Sequence, residues 1–345
     1  MKDSGGKTPL HRLLDRDMGH CVGEGDLLSP LQLLLDRGAN VNAQDKDHTT
    51  PLHLAMEWVF HDISRVLLEH GAEHNAKDND GKTPLHRLLD RGLRYFIVEG
   101  PFLGPLQLLL DRGANVNAQD KDHTTPLHLA TKWMFIAILR VLLEHGAGPN
   151  AKDNDGKTPL HLVLVTESNY HVRGSNQEIP KAIATRLLLE RGAHVNAPDR
   201  DHKTPLLLAI QRKMYDVARI LLVRGAEPNV KNQNGQTPLH LLLESDFADE
   251  DDIPGLVRLL LDRGADVNAP DQHYATPLWL AAERVMFVNP RILNGSVGPS
   301  VKNEGNTPLY LLSKYPRKLE IAQIILDHAA ADKDRVLFHM TLEGE

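Results

Sequence analysis

The chain has 345 residues, with 39 Lys and Arg against 46 Asp and Glu, for a formal net charge of −7. That balance, without a basic tract, excludes a nucleic-acid surface built from Lys and Arg meeting phosphates. The single cysteine, Cys21, excludes an intramolecular disulfide framework, and no apolar run reaches the roughly 18 residues that a membrane-inserted helix needs.

The N-terminal stretch Met1-Lys2-Asp3-Ser4-Gly5-Gly6 lacks the apolar segment of a secretory leader, so an intracellular location, cytoplasmic or nuclear, is expected. Lys2–Lys7 matches Lys77–Lys82 in position, so the chain opens inside a repeating pattern. Thr-Pro-Leu follows at Thr8 and returns at Thr50, Thr83, Thr125, Thr158, Thr204, Thr237, Thr276 and Thr307. The next residue is His in six copies and becomes Leu207, Trp279 and Tyr310 in the others. A recurrence of this kind signals a solenoid, in which each unit contacts only its neighbours.

One unit, Asp45–Lys77, shows the local logic. Thr50 caps a short helix with Pro51 at its first position, where a missing N–H costs nothing. Leu52, Leu54 and Ala55 supply its packing. Ile63, Val66 and Leu67, spaced i, i+3, i+4, give a second helix one apolar stripe. Gly71 suits a left-handed C-cap. The polar segment from Ala72 to Thr83, with a turn at Asp80-Gly81, is expected to form a β-hairpin finger. The turn residue before each x-Thr-Pro step alternates. It is Gly6, Gly81, Gly156, Gly235 and Gly305 in one set, and His48, His123, His202 and Tyr274 in the other. Glycine takes positive φ without strain, and His is a better substitute than most. Tyr274 predicts a distorted finger.

Further along, Pro105–Ala130 is identical to Pro30–Ala55, so a two-repeat block of 75 residues has been duplicated. One member of each pair is plain. The other carries extra residues near Asp17–Gly25, Gly92–Gly100, Glu167–Gln177 and Asp246–Ile253, expected as loops between its two helices. The copies differ mainly at Asp17–Ser29 against Gly92–Gly104, and Met56–Ser64 against Thr131–Leu139. Such segments either drift freely as surface loops or form a tuned binding face. Pro290, Asn294-Gly295 and Gly298-Pro299 predict a shortened helix and local looseness. Thr307–Ala330, with Ser313–Lys318 between its helices, reads as a C-terminal cap, and the tail 331–345 either packs on it or stays mobile.

Helix, helix, finger, in this wording, resembles the ankyrin repeat over about residues 3–330. The resemblance implies an all-α solenoid of about nine helix-turn-helix repeats: 3–44, 45–77, 78–119, 120–152, 153–198, 199–231, 232–270, 271–301 and 302–330. It also implies a non-catalytic scaffold or adaptor that binds another protein in a concave groove of fingers and first helices. Carried over by position, the finger candidates are Lys46, Asp47, Asn79, Asp80, Lys121, Asp122, Asn154, Asp155, Arg200 and Asp201. On the first helices they are Glu57, Trp58, Asp90, Arg91, Lys132, Trp133, Gln211 and Arg212. Trp58 and Trp133 either anchor a partner, as Trp often does at hot spots, or pack against the neighbouring repeat. The mixed-sign fingers are either a solvated rim or a source of steering.

No cofactor or metal is expected. The six repeat histidines sit one or more layers apart, about 8–10 Å each, too far to share a metal about 2 Å from each ligand. They are expected to hydrogen-bond backbone groups at repeat junctions. The Asp45-x-Asp47-His48 spelling and its relatives at Asp120 and Asp199 lack a full calcium loop. Asp249–Asp252 reads as solvated. No phosphate loop, Gly-x-Ser-x-Gly or His-Glu-x-x-His occurs, and the repeats leave no space for a catalytic domain, so no enzyme is expected. The uncapped first repeat predicts either self-association through that face or a sensor or targeting role within a larger multidomain protein whose N-terminal part is absent.

Overall fold

The computed structural model describes residues 2–15, 23–90, 99–166, 178–244, 253–281 and 320–329, residue 322 excepted. Each Thr-Pro-Leu step within them opens a helix. Threonine sits at the N-cap in extended conformation, as at Thr50 and Thr125, and proline fills the first helical position. Fourteen helices come in pairs: α1 (Pro9–Leu14) with α2 (Glu24–Asp36), α3 (Pro51–Glu57) with α4 (His61–Glu69), α5 (Pro84–Asp90) with α6 (Gly100–Asp111), α7 (Pro126–Lys132) with α8 (Ile136–Glu144), α9 (Pro159–Val165) with α10 (Glu178–Glu190), α11 (Pro205–Gln211) with α12 (Tyr215–Val223), and α13 (Pro238–Glu244) with α14 (Ile253–Asp262). Residues 277–281 and 323–329 are also helical.

The chain divides into two compact units, Met1–His194 and Val195–Glu345. In the first, the short helices α1, α3, α5, α7 and α9 stack in order, and the second helices α2, α4, α6, α8 and α10 stack beside them. In the second, α11 packs on α13 and α12 on α14. This is an all-α repeat solenoid. The core is the inner stripe of each helix: Leu10, Leu52, Leu85, Leu127 and Leu160 from the Thr-Pro-Leu steps, with Ile63, Leu67, Ile138 and Leu142 from the second helices. Burying each such side chain contributes about 2 kcal/mol, and an unstacked pair would lose the share that comes from its neighbours.

Three expectations change. The fingers carry no β-strand among the described residues. Each closes as a turn, with Asp45 N–H donating to Thr49 O at 3.1 Å and His48 N–H to Asp45 O at 3.2 Å. The aspartate side chain takes the amides that a strand ladder would otherwise use.

The Tyr274 finger is not distorted. Its φ of 61° matches the 57–58° of His48, His123 and His202, and its turn closes through the same two bonds. Tyr274 is 87% exposed, so its ring meets no packing constraint at this turn. Finally, the longer repeats spend part of their extra length on helix. α2, α6 and α10 have 13, 12 and 13 residues against 9 in α4, α8 and α12. α2 and α6 run through Pro30 and Pro105. The rest of those insertions, the irregular stretch around Pro290, Thr307 to Lys318 and the tail lie outside the described residues.

Candidate functional site

The fingers are built around one carboxylate each. Asp45 Oδ1 accepts from Asp47 N–H and Thr49 N–H, both at 2.9 Å. Asp78, Asp120, Asp153, Asp199 and Asp271 repeat the arrangement, and Asn232 makes it with an amide oxygen. These acids organise backbone, as Asx turns do.

Successive fingers are joined backbone to backbone. After a glycine finger, Lys46 N–H donates to Gly5 O and Lys121 N–H to Asp80 O. A Cβ on Gly6 or Gly81 would stand 3.0 or 3.1 Å from that incoming amide nitrogen, so the close approach, as well as φ of 79° and 76°, requires glycine. After a histidine finger, an asparagine makes the link. Asn79 N–H donates to Asp47 O and its side-chain amide to Lys46 O; Asn154 does the same on Asp122 and Lys121.

The repeat histidines bond as expected. His53 Nδ1 accepts from Thr50 N–H at 3.2 Å and from its hydroxyl at 2.8 Å, while Nε2–H donates to Lys82 O of the next finger at 3.1 Å. The carbonyl can only accept, which fixes the tautomer. His11, His86, His128 and His240 reach Thr49, Thr124, Lys157 and Ala275 in the same way. Burial pushes the His53 imidazole down to about 4, and it lowers His86 and His128 as well. All three are neutral at pH 7.

Two further devices escaped the sequence reading. Asn42, Asn117 and Asn150 each donate to the C-cap glycine carbonyl of the next repeat, Gly71, Gly146 and Gly192, and accept from an amide two residues on. Glu24 and Glu99 cap the following repeat's second helix from outside. Glu99 accepts from Ile136, Ala137 and Ile138 N–H at 2.9, 2.7 and 3.1 Å, and Glu24 from Ile63 N–H at 2.9 Å.

A concavity of about 800 Å³ lies within the first unit. The ends of α5, α7 and α9 and the fingers before α7 and α9 surround it. It gathers five candidates: Asp90, Asp122, Lys132, Trp133 and Asp155. To these it adds Asp120, Asp153, Lys157, Leu162 and Val165, none of which was a groove candidate from the sequence. The remaining candidates of this unit lie off it. Lys46, Asp47, Asn79, Asp80, Lys121 and Asn154 sit on fingers, with their backbones in the finger-to-finger links. Glu57 is 3.7 Å from Arg87, and Trp58 is the half-buried C-cap of α3. Arg200, Asp201, Gln211 and Arg212 belong to the second unit and are exposed, and Arg91 lies outside the described residues.

Trp133, the C-cap of α7, is half-buried, with the Lys132 ammonium 5.2 Å from its ring centre and its indole N–H buried without a hydrogen-bond partner. Lys82 pairs with Asp90, and Lys157 with Asp155 at 2.8 Å. A half-buried indole beside apolar Leu129, Leu162 and Val165, under a rim of carboxylates and ammonium groups, suits an amphipathic ligand. Among the described residues no cluster of metal-ligating side chains occurs, and no helix is long and apolar enough to cross a membrane.

A family model for ankyrin repeats in three copies matches residues 18–100, 96–174 and 221–287, and one for ankyrin repeats in many copies matches residues 188–242. The chain belongs to the ankyrin-repeat family. Protein fem-1 homolog A of Danio rerio is 46% identical over 55 residues, which cover 15% of this chain and 9% of that relative's length. A solved ankyrin repeat domain from Acinetobacter baumannii AYE is similar, with a TM-score of 0.51 at 26% identity, over 63% of this chain and 98% of the other. Ankyrin repeats generally mediate protein–protein interaction and are typically non-catalytic.

Proposed function

We propose that this ankyrin-repeat protein is a non-catalytic scaffold that binds another protein in the concavity between α7 and α9. The half-buried Trp133 at the edge of that 800 Å³ space carries the reading. Its indole offers a large rigid surface, and its buried N–H has no hydrogen-bond partner. Aromatic anchors of this kind dominate binding energy at protein interfaces. The surrounding charges serve steering and register more than affinity.

A photo-crosslinking residue in place of exposed Lys132, compared with one in place of Leu33 on α2, tests it in native cells. Leu33 is 55% exposed and lies off the concavity. A discrete protein adduct formed from position 132 and absent from position 33 is expected. Adducts from position 33 alone, or the same ladder from both, would sink the assignment.

A further inference from the structure

Resting on that reading and deepening it, we infer that the concavity seats an arginine side chain of the partner protein on Asp153. The chain carries its own template for this contact. In the first copy of the 75-residue block, Arg87 on α5 crosses the groove. Its Nε–H donates to Asp78 Oδ2 at 2.8 Å, and its Nη1 lies 3.7 Å from Glu57. That guanidinium neutralises the finger carboxylate that the backbone leaves half used. Arg12 does the same for Asp3 at the start of the chain.

Seventy-five residues on, the same three positions read Asp153, Leu162 and Lys132. Asp153 keeps its turn, accepting from Asp155 and Lys157 N–H at 2.9 and 2.8 Å through Oδ1. Its other oxygen has no ion-pair partner among the described residues. A second change widens the gap. Asp90, which holds Lys82 across the first groove, is replaced by Val165, and Lys157 turns back to Asp155. Asp153 and Leu162, which stand where the first copy has Asp78 and Arg87, both line the open volume.

The rest of the lining fits the same occupant. Asp120, only 8% exposed, also uses Oδ1 for its own turn, and Leu129 stands where Arg87 would be. Over the whole cavity five aspartates face three lysines. Leu162 and Val165 offer apolar surface for the methylene stem of an arginine. Lysine, a point charge on a flexible stem, lacks the planar fork that Arg87 uses on Asp78.

The test pans a displayed random octapeptide library with the full chain and with its Leu162→Arg variant, which refills the groove as Arg87 does. Peptides that bind wild type and lose binding to Leu162→Arg are expected to share an arginine. Replacing that arginine by neutral, isosteric citrulline is expected to weaken binding at least tenfold. Asp153→Asn is expected to weaken the arginine peptide equally and to erase its advantage over citrulline. This variant keeps the finger, since Asn232 forms the same turn with an amide. Peptides lost on Leu162→Arg but indifferent to citrulline and to Asp153→Asn would overturn the arginine seat while leaving groove binding standing. If no peptide distinguishes wild type from Leu162→Arg, both readings fall.

Discussion

At the scale of single residues, the Thr-Pro-Leu-His step is a closed hydrogen-bond circuit, and a copy that has leucine in place of the histidine exposes its logic. Thr125 Oγ1 accepts from His128 N–H and donates to His128 Nδ1. Thr204 faces Leu207 instead, and its buried hydroxyl has no partner. Thr125→Val is therefore expected to cost about 1–2 kcal/mol, and Thr204→Val less than about 0.5 kcal/mol, read from urea midpoints. The histidines also set a pH dependence. A native His53 with its pKa held near 4 binds no proton where the unfolded chain, near 6.5, already does. Its share of stability is complete above 6.5 and is lost as pH falls from 6.5 to about 4, with no further loss below. The full effect is of order 3 kcal/mol. His86 and His128 shift in the same direction and add to the slope. His53→Leu, the residue type found at position 207, should make the urea midpoint flatter between pH 7 and 4.5. An unchanged slope would mean that another group carries it.

At the scale of elements, the second helices depend on neighbours for their ends. α8 begins at Ile136 after Phe135, which has no capping side chain, and Glu99 of the preceding repeat accepts three of its free N–H groups. Glu99→Ala is expected to destabilise by about 1–2 kcal/mol, with Glu99→Gln losing less because an acceptor oxygen remains. The turn before α4 holds a β-branched residue in the left-handed region, Val59 at φ 61°. Val59→Asn should raise the unfolding free energy by about 1 kcal/mol, read from urea midpoints, since asparagine accepts that backbone and valine resists it. The helices were legible in sequence because Thr-Pro fixes a start and Gly fixes an end within a few residues. The Glu99 cap was not, because donor and acceptor lie 37 to 39 residues apart and glutamate carries no positional signature. The cavity was half legible for a related reason. Trp133 and Lys132 stand out as residues, whereas Leu162 matters only as the absence of Arg87.

At the scale of the whole molecule, stability is a sum over junctions between layers, and in the first unit the junctions come in two kinds. One has a glycine finger receiving a lysine amide, with Lys2 or Lys77 also reaching the next repeat's Gln44 or Gln119 carbonyl. The other has a histidine finger receiving an asparagine. Both were visible in sequence as an alternation of turn residues, although its cause, the approach of the next backbone, was not. The array therefore has parity. Excising a whole 75-residue block joins ends that already match, and the shortened protein should fold. Removing one plain 33-residue repeat sets glycine finger against glycine finger, a seam for which the chain has no pattern. Lineages of this protein would then gain and lose length in steps of two layers, with the unit of inheritance set by a hydrogen bond and not by the size of a helix pair.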